Sequence, residues 1–270
     1  MTPLRTEVVE NEHLRLEIAL DAGPRIVWLS LPCGRNIFAE TPEIAWPTVH
    51  GRPYRLLGGH RLWSSPECPL DEQVPDDEPV VVRALEDGVA IEGSTRTHDG
   101  LTRRIELHPA ADGPRVRVTH VLENRGDRPV RAAAWALTQV APGGVAVSPL
   151  PGGGAAQLPN RNVVLWPYSS VADPRYDLTD SEIRVAATGD PGFFKVGCLN
   201  RSGTVHYELD GITFRKRFEP EPEAEHVDFG CNVEIYVRAE FLELETLSPV
   251  RNVEAGGSIV HVEEWELAPS

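Results

Sequence analysis

Lysine is almost missing from this chain: Lys195 and Lys216 are the two among 26 basic residues, set against 41 acids. The net charge of −15 argues against a nucleic-acid partner, which requires clustered Lys and Arg on a phosphate backbone. Cysteine is also sparse. Cys33, Cys68, Cys198 and Cys231 lie far apart with no Cys-x-x-Cys pair, a pattern of reduced thiols rather than a disulfide framework or zinc site. No apolar run approaches the ~18 residues of a membrane span. The opening "MTPLRTEVVENEHLRLEIAL" has no apolar signal core. The expectation is a cytoplasmic protein with no membrane partner.

Nucleotide and hydrolase signatures are missing too. No Gly-x-Ser-x-Gly elbow or dinucleotide fingerprint occurs, and the glycines of "PLPGGGAAQLPN" (149–160) are not followed by Gly-Lys-Ser/Thr. That stretch reads as a flexible excursion. "HVDFG" and "HVEEWE" put His beside acids, but neither offers three converging ligands. No metal and no cofactor are expected.

What is present is a period of two. "HLRLEIAL" sets Leu14, Leu16, Ile18 and Leu20 on one face, and "RVRVTHVLEN" and "SIVHVEEWEL" alternate likewise. Turn signals such as "EDGV", "ADGP", "NRGDRP" and "LDG" separate the runs. Glycine (23) and proline (24) are abundant. These features predict an all-β protein of large antiparallel sheets, with residues 1–270 as a single domain. "ADPRYDLTDSEIRVAAT" comes nearest to a helix, with Pro174 against it, and "PLDEQVPDDEPV" (69–80) reads as an exposed loop.

Three stretches carry candidate chemistry. In "YRLLGGHRLWSSPE" (54–67), His60 offers a general acid or base and Arg61 a clamp for oxygens. Trp63 offers a flat face for a sugar, and Glu67 a base or anchor. The same residues would also serve a tight turn with a core Trp. The Gly-Gly pair permits close backbone approach to a ligand. In "FLELETLSPV" (241–250), Glu243 and Glu245 share one strand face. They form either a carboxylate pair with one raised pKa or the solvated face of an edge strand. In "DFGCNVEIYVRAE", Asn232, Glu234 and Tyr236 share a face and line either a cleft or solvent. Lys195 and Lys216 read as snorkelling lysines or ligand contacts. Trp166 and Tyr168 read as core or sugar-stacking wall, and His120 as a satisfied core histidine.

The blocks "GGHRLWSSPE", "VLWPYSS" with "DPR", "FFKVG", "DFGCNVEIY" and "FLELETLSPV" with "GGSIVHVEEWEL" resemble, in this order, an uncharacterised family with the galactose-mutarotase-like, aldose 1-epimerase-like fold. The resemblance runs from about residue 8 to 268. It implies a β-supersandwich with a sugar-sized groove, and a small-molecule carbohydrate as partner. In related epimerases a late Glu takes the anomeric hydroxyl proton and a mid-chain His protonates the ring oxygen. By resemblance Glu245 is the base, with Glu243 second, while Arg61, Trp63, Glu67, Lys195, Asn232, Glu234 and Tyr236 line the sugar site. The mid-chain His has no counterpart in "RAAAWALTQVAPGG". Either His60 supplies the acid, or the protein is a sugar- or glycoside-binding module without turnover. A hydrolase or lyase using Glu243 and Glu245 ranks lowest, since neighbours on one strand face cannot flank a glycosidic bond.

Overall fold

The computed structural model describes residues 4–96, 98–152, 158–189 and 192–270. Among them there is no α-helix, and one 3-10 turn spans Leu70–Glu72. Residues 153–157 of the glycine-rich excursion lie outside the described residues. Two large antiparallel sheets account for nearly all the strands. In the first, the strands run in the spatial order Thr6–Glu10, Arg15–Ala19, Arg25–Ser30, Gly59–Ser65, Val130–Val140, Phe241–Leu247, Val233–Arg238, Phe194–Cys198 and Val164–Leu165. In the second, Ile212–Phe218, Ser258–Pro269 and Arg115–Asn124 lie at the centre.

The alternating runs explain this pairing. Leu14, Leu16 and Ile18, together with Val116, Val118 and Leu122, point between the sheets into one core that also contains Phe38, Phe214 and Trp265. Trp265 meets Phe38 and Phe214 edge-on, at centroid distances of 6.0 and 5.6 Å. Each such pair adds about 0.5–1.5 kcal/mol to the burial itself. A second, smaller apolar cluster sits on the opposite face of the first sheet. There Ala39, Tyr54 and Leu56 pack on Trp63, Trp135, Leu137, Phe241 and Leu247. The middle of the first sheet is therefore covered on both faces. This is why Phe241–Leu247 is buried at every position despite its alternating sequence.

Two local expectations change. The acidic segment 69–80 is not simply exposed: Gln73, Pro75 and Asp76 are buried, and Asp76 forms a 2.8 Å ion pair with the enclosed Arg25. The glycines before His60 make room for protein backbone. Gly58 and Gly59 have φ of +80° and +72°. A Cβ on them would stand 2.0 Å from the Ala39 carbonyl oxygen and 2.2 Å from that of Ile26, distances that only glycine permits.

Candidate functional site

The register of the first sheet determines which side chains meet. Trp63 is opposite Trp135, Arg61 opposite Leu137, and Gly59 opposite Gln139. Across the next strand, Leu137 faces Glu245 and Gln139 faces Glu243. Beyond it, Glu234 faces Glu245, Tyr236 faces Glu243, and Lys195 faces Tyr236. Directly opposed residues share a face. Arg61, Trp63, Trp135, Gln139, Glu243, Glu245, Glu234, Tyr236 and Lys195 therefore stand together on the side away from the second sheet.

Two linked clusters result. Glu243 accepts hydrogen bonds from Gln139 Nε2 at 2.8 Å and Arg61 Nη2 at 3.2 Å. The Arg61 guanidinium lies over the Trp63 ring, 4.6 Å from its centroid. Next to it, Lys195 Nζ sits 2.7 Å from Glu234 Oε2 and 3.1 Å from Glu245 Oε2. Trp135 Nε1 also donates to Glu245 Oε2, at 2.7 Å. Lys195 lies against the rings of Trp135 and Trp166 at 5.0 and 4.7 Å. Burial acts against its charge, but Glu234 and Glu245 outweigh that and raise its pKa well above the usual value. Burial raises both carboxyls, and Lys195 only partly offsets it because one cation serves two acids. Glu67 is exposed on the segment after Gly59–Ser65. Enough protein surrounds it for burial to raise its carboxyl too, against the pull of Lys195 and Arg61. Tyr168 and Phe193, both half exposed, meet edge-on at 6.4 Å, and Phe193 lies 6.2 Å from Tyr236. They form an aromatic border beside Lys195.

Of the residues singled out by sequence, the structure brings Arg61, Trp63, Glu243, Glu245, Glu234, Tyr236 and Lys195 together, with Glu67 beside them. Two do not join. The Asn232 side chain is fully buried and holds Asn200, accepting from its N–H at 2.6 Å and donating to its carbonyl at 2.9 Å. His60 is the larger correction. One residue from Arg61 on an extended strand, it points the opposite way, into the space between the sheets, and has no exposed surface.

There His60 belongs to a separate polar network. Its Nδ1 is 2.9 Å from Thr138 Oγ1, and its Nε2 is 2.8 Å from His120 Nε2. His120 Nδ1 lies 3.0 Å from the His261 carbonyl, so it must donate, which leaves Nε2 as the acceptor for a proton carried on His60 Nε2. Thr138 then donates to His60 Nδ1 and accepts from Lys216 Nζ at 3.2 Å. Every proton is placed with both imidazoles neutral. Burial holds His60 well below its usual pKa and His120 down to about 4. Lys216 completes the network with a 2.8 Å ion pair to Glu263, whose other oxygen accepts from Trp265 Nε1 at 2.6 Å. His60, His120 and Glu263 have ligand atoms within 4.8 Å of one another. The two imidazoles already bond each other, Glu263 is held by Trp265 and Thr246, and the Lys216 ammonium lies against its carboxylate, which fits a closed hydrogen-bond network better than a cation.

Sequence reasoning passed over Trp135 and Gln139, which bond Glu245 and Glu243. Their signal was present: in "WALTQ" they share parity with Leu137, within a run long enough to cross the middle of a sheet. A wider cavity of about 590 Å³ opens elsewhere, between residues 217–221 and Val260–Val262. It is lined by His261 of the inner network and by Asn232 and Leu247, but by none of Lys195, Glu234, Glu243 and Glu245.

No protein-family model matches the chain, and no curated protein matches it in sequence. Solved structures do match. A galactose mutarotase-like protein from Lactobacillus casei superposes with a TM-score of 0.58 at 10% identity, covering 98% of this chain and 100% of its own. The chain has the galactose mutarotase-like fold. A galactose mutarotase related enzyme from Lactobacillus acidophilus has a TM-score of 0.52 at 9% identity, covering 98% and 97%. A TPR-domain containing protein from Parabacteroides distasonis has a TM-score of 0.68 at 12% identity. It covers 98% of this chain, which spans about half (47%) of that protein.

Proposed function

We propose that the outer face of the first sheet binds a carbohydrate, with the anomeric end over the Lys195–Glu245–Glu234 cluster. One observation carries this reading. Arg61 Nε and Nη1, Gln139 Oε1 and Glu245 Oε1 are all buried and have no hydrogen-bond partner among the described residues. Native proteins leave few such groups, and here they gather on one face of one sheet. Donors and acceptors are mixed, which suits hydroxyl groups that do both. Tyr168, Phe193 and Tyr236 offer flat faces beside them, as a sugar ring requires. The fold shared with mutarotase-like proteins supports the same reading.

The catalytic form is a mutarotase-type epimerase. Glu245 takes the proton of the anomeric hydroxyl. Glu67, whose raised carboxyl keeps a proton closer to neutral pH, gives one to the ring oxygen in the place first assigned to His60. The C1–O5 bond breaks as the anomeric C=O forms, and after rotation about C1–C2 it closes again with both protons returned; no oxidation or reduction occurs, so the step calls for no cofactor. A second reading, sugar binding without turnover, is favoured by a specific feature: Glu245 is fully enclosed, with Oε2 held by both Lys195 and Trp135. Titration calorimetry with glucose and galactose, and NMR exchange between their anomers, tests both readings. Binding together with anomer exchange that Glu245→Gln abolishes supports the epimerase. Binding with exchange at the uncatalysed rate supports the module. No heat of binding with either sugar or its glycosides removes the proposal.

A further inference from the structure

Next to the main cluster, a separate pocket of about 190 Å³ is lined by Trp63, Glu67, Gln73, Arg96, Asp99 and Arg103, among others. It adjoins the main cluster through two residues. Trp63 meets Trp135 edge-on at 5.7 Å, and Glu67 feels the charges of Lys195, Glu243 and Arg61. The pocket has its own unpartnered polar groups. Gln73 is 3% exposed, yet its Oε1 has no hydrogen-bond partner among the described residues. Arg103, also 3% exposed, has a free Nε, and Trp63, 9% exposed, a free Nε1. The rest of each polar set is fixed in place. Arg103 is tied to Asp99 at 2.6 Å and Ser64 at 2.9 Å, Gln73 Nε2 donates to Glu67 at 3.3 Å, and Arg96 holds the Val74 carbonyl at 2.8 Å.

We propose that this pocket is a second subsite and that the ligand is a reducing disaccharide or longer glycan, its reducing end over Glu245 and its next sugar ring between Trp63 and Gln73. This rests on the carbohydrate reading above and extends it. The volume is below the ~300 Å³ of a whole small-ligand site and suits one ring of a larger molecule. The choice of a neutral, hydroxyl-bearing ring follows from the mixture of free groups. Two free donors face one free acceptor, and the carboxyl groups of Glu67 and Asp99 stand beside them. Of the charged lining residues, Asp99 is paired with Arg103 and Arg131 with Glu225, which leaves Arg96 against Glu67 and no net charge that calls for an anionic ligand, whereas a hydroxyl accepts from Trp63 or Arg103 and donates to Gln73.

Calorimetry on the intact protein with lactose, maltose and cellobiose, each against galactose or glucose, tests this. At least one disaccharide should bind about tenfold more tightly than its monosaccharide, the equivalent of one or two net hydrogen bonds. Gln73→Leu should erase that gain and leave monosaccharide affinity within about twofold. Saturation-transfer NMR gives an independent readout: both rings should receive saturation from the wild-type protein, and only the reducing ring from the variant. Monosaccharide binding with no gain for any disaccharide, or a gain untouched by Gln73→Leu, overturns the second subsite and leaves the main site standing. Binding of neither class overturns both.

Discussion

Replacing Lys195 with methionine isolates the electrostatics of the candidate site. The methionine keeps most of the side-chain length against Trp135 and Trp166 but removes the one cation between Glu234 and Glu245. Each ion pair, at 2.7 and 3.1 Å, is worth roughly 5–6 kcal/mol of gross attraction at an effective dielectric near 20. Most of that offsets the desolvation of the three groups, so the net loss is smaller. The carboxyls set the limit, because they escape the loss by taking up a proton. Holding one more glutamate neutral, against an ordinary value of 4.5, costs about 1.4 kcal/mol for each pH unit above that value. The variant should therefore lose about 4 kcal/mol of stability at pH 7.5 and about 1.4 kcal/mol at pH 5.5. The larger figure falls within the range for breaking a buried pair. The sign follows from proton binding. With its pKa raised, the folded protein holds more protons than the unfolded chain above pH 4.5, so stability is fully present below that pH and falls as pH rises. Urea unfolding followed by tryptophan fluorescence at the two pH values measures both losses. An equal loss at both, or a loss under about 1 kcal/mol at pH 7.5, would refute this account of the cluster.

Three further outcomes follow from named contacts. His60→Ala should cost about 2–4 kcal/mol, from the cavity and from Thr138 and His120 left without a partner, and should weaken sugar binding by the folded protein by up to about tenfold in calorimetry without abolishing it, since His60 reaches the outer face only through Thr138 and Gln139. Because His120 is held down to about 4, its share of stability is complete above pH 6.5 and is lost as pH falls toward 4. Urea midpoints should show about 2–3 kcal/mol lost between pH 7 and pH 4.5, a slope that shrinks in His120→Gln. Gly59→Ala should destabilise by at least about 2 kcal/mol in the same assay, since the new Cβ would meet the Ile26 carbonyl at 2.2 Å with φ at +72°.

Much of the fold was legible because antiparallel strands with one covered face alternate, and most strands of the second sheet do so. "RVRVTHVLEN" is the clear case: Arg115 and Arg117 are exposed, Val116 and Val118 buried, and His120 is the satisfied core histidine its parity implied. The site was partly legible for the same reason, since parity alone placed Glu243 with Glu245 and Glu234 with Tyr236. Parity could not choose between a cleft and an edge strand. Strand order decides this: Phe241–Leu247 lies between Val130–Val140 and Val233–Arg238, so its glutamates are interior. The two lysines were legible in position but not in depth. Lys216 has no exposed surface, and its partner Glu263 lies 47 positions away in sequence, on a neighbouring strand. Nothing local to "FRKRF" announces that pairing. Trp166 and Tyr168 lean toward the site border rather than the core, half buried and exposed respectively.

His60 shows why a reactive residue beside a site residue is weak evidence. A strand covered on both faces gives neighbouring residues to different layers, so "HR" in this chain is one residue for the inter-sheet network and one for the outer face. The two layers are still mechanically joined. Thr138, which receives Lys216 and bonds His60, is one residue from Gln139, which holds Glu243. Thr246, bonded to His261 on the inner side, is one residue from Glu245. A buried, fully hydrogen-bonded network has few alternative arrangements. Behind a binding face it fixes the strand backbones whose outward side chains must hold their spacing. On this view the inner histidines and Lys216 contribute to the site by keeping Gln139 and Glu245 in register, which parity, and not proximity in sequence, makes possible.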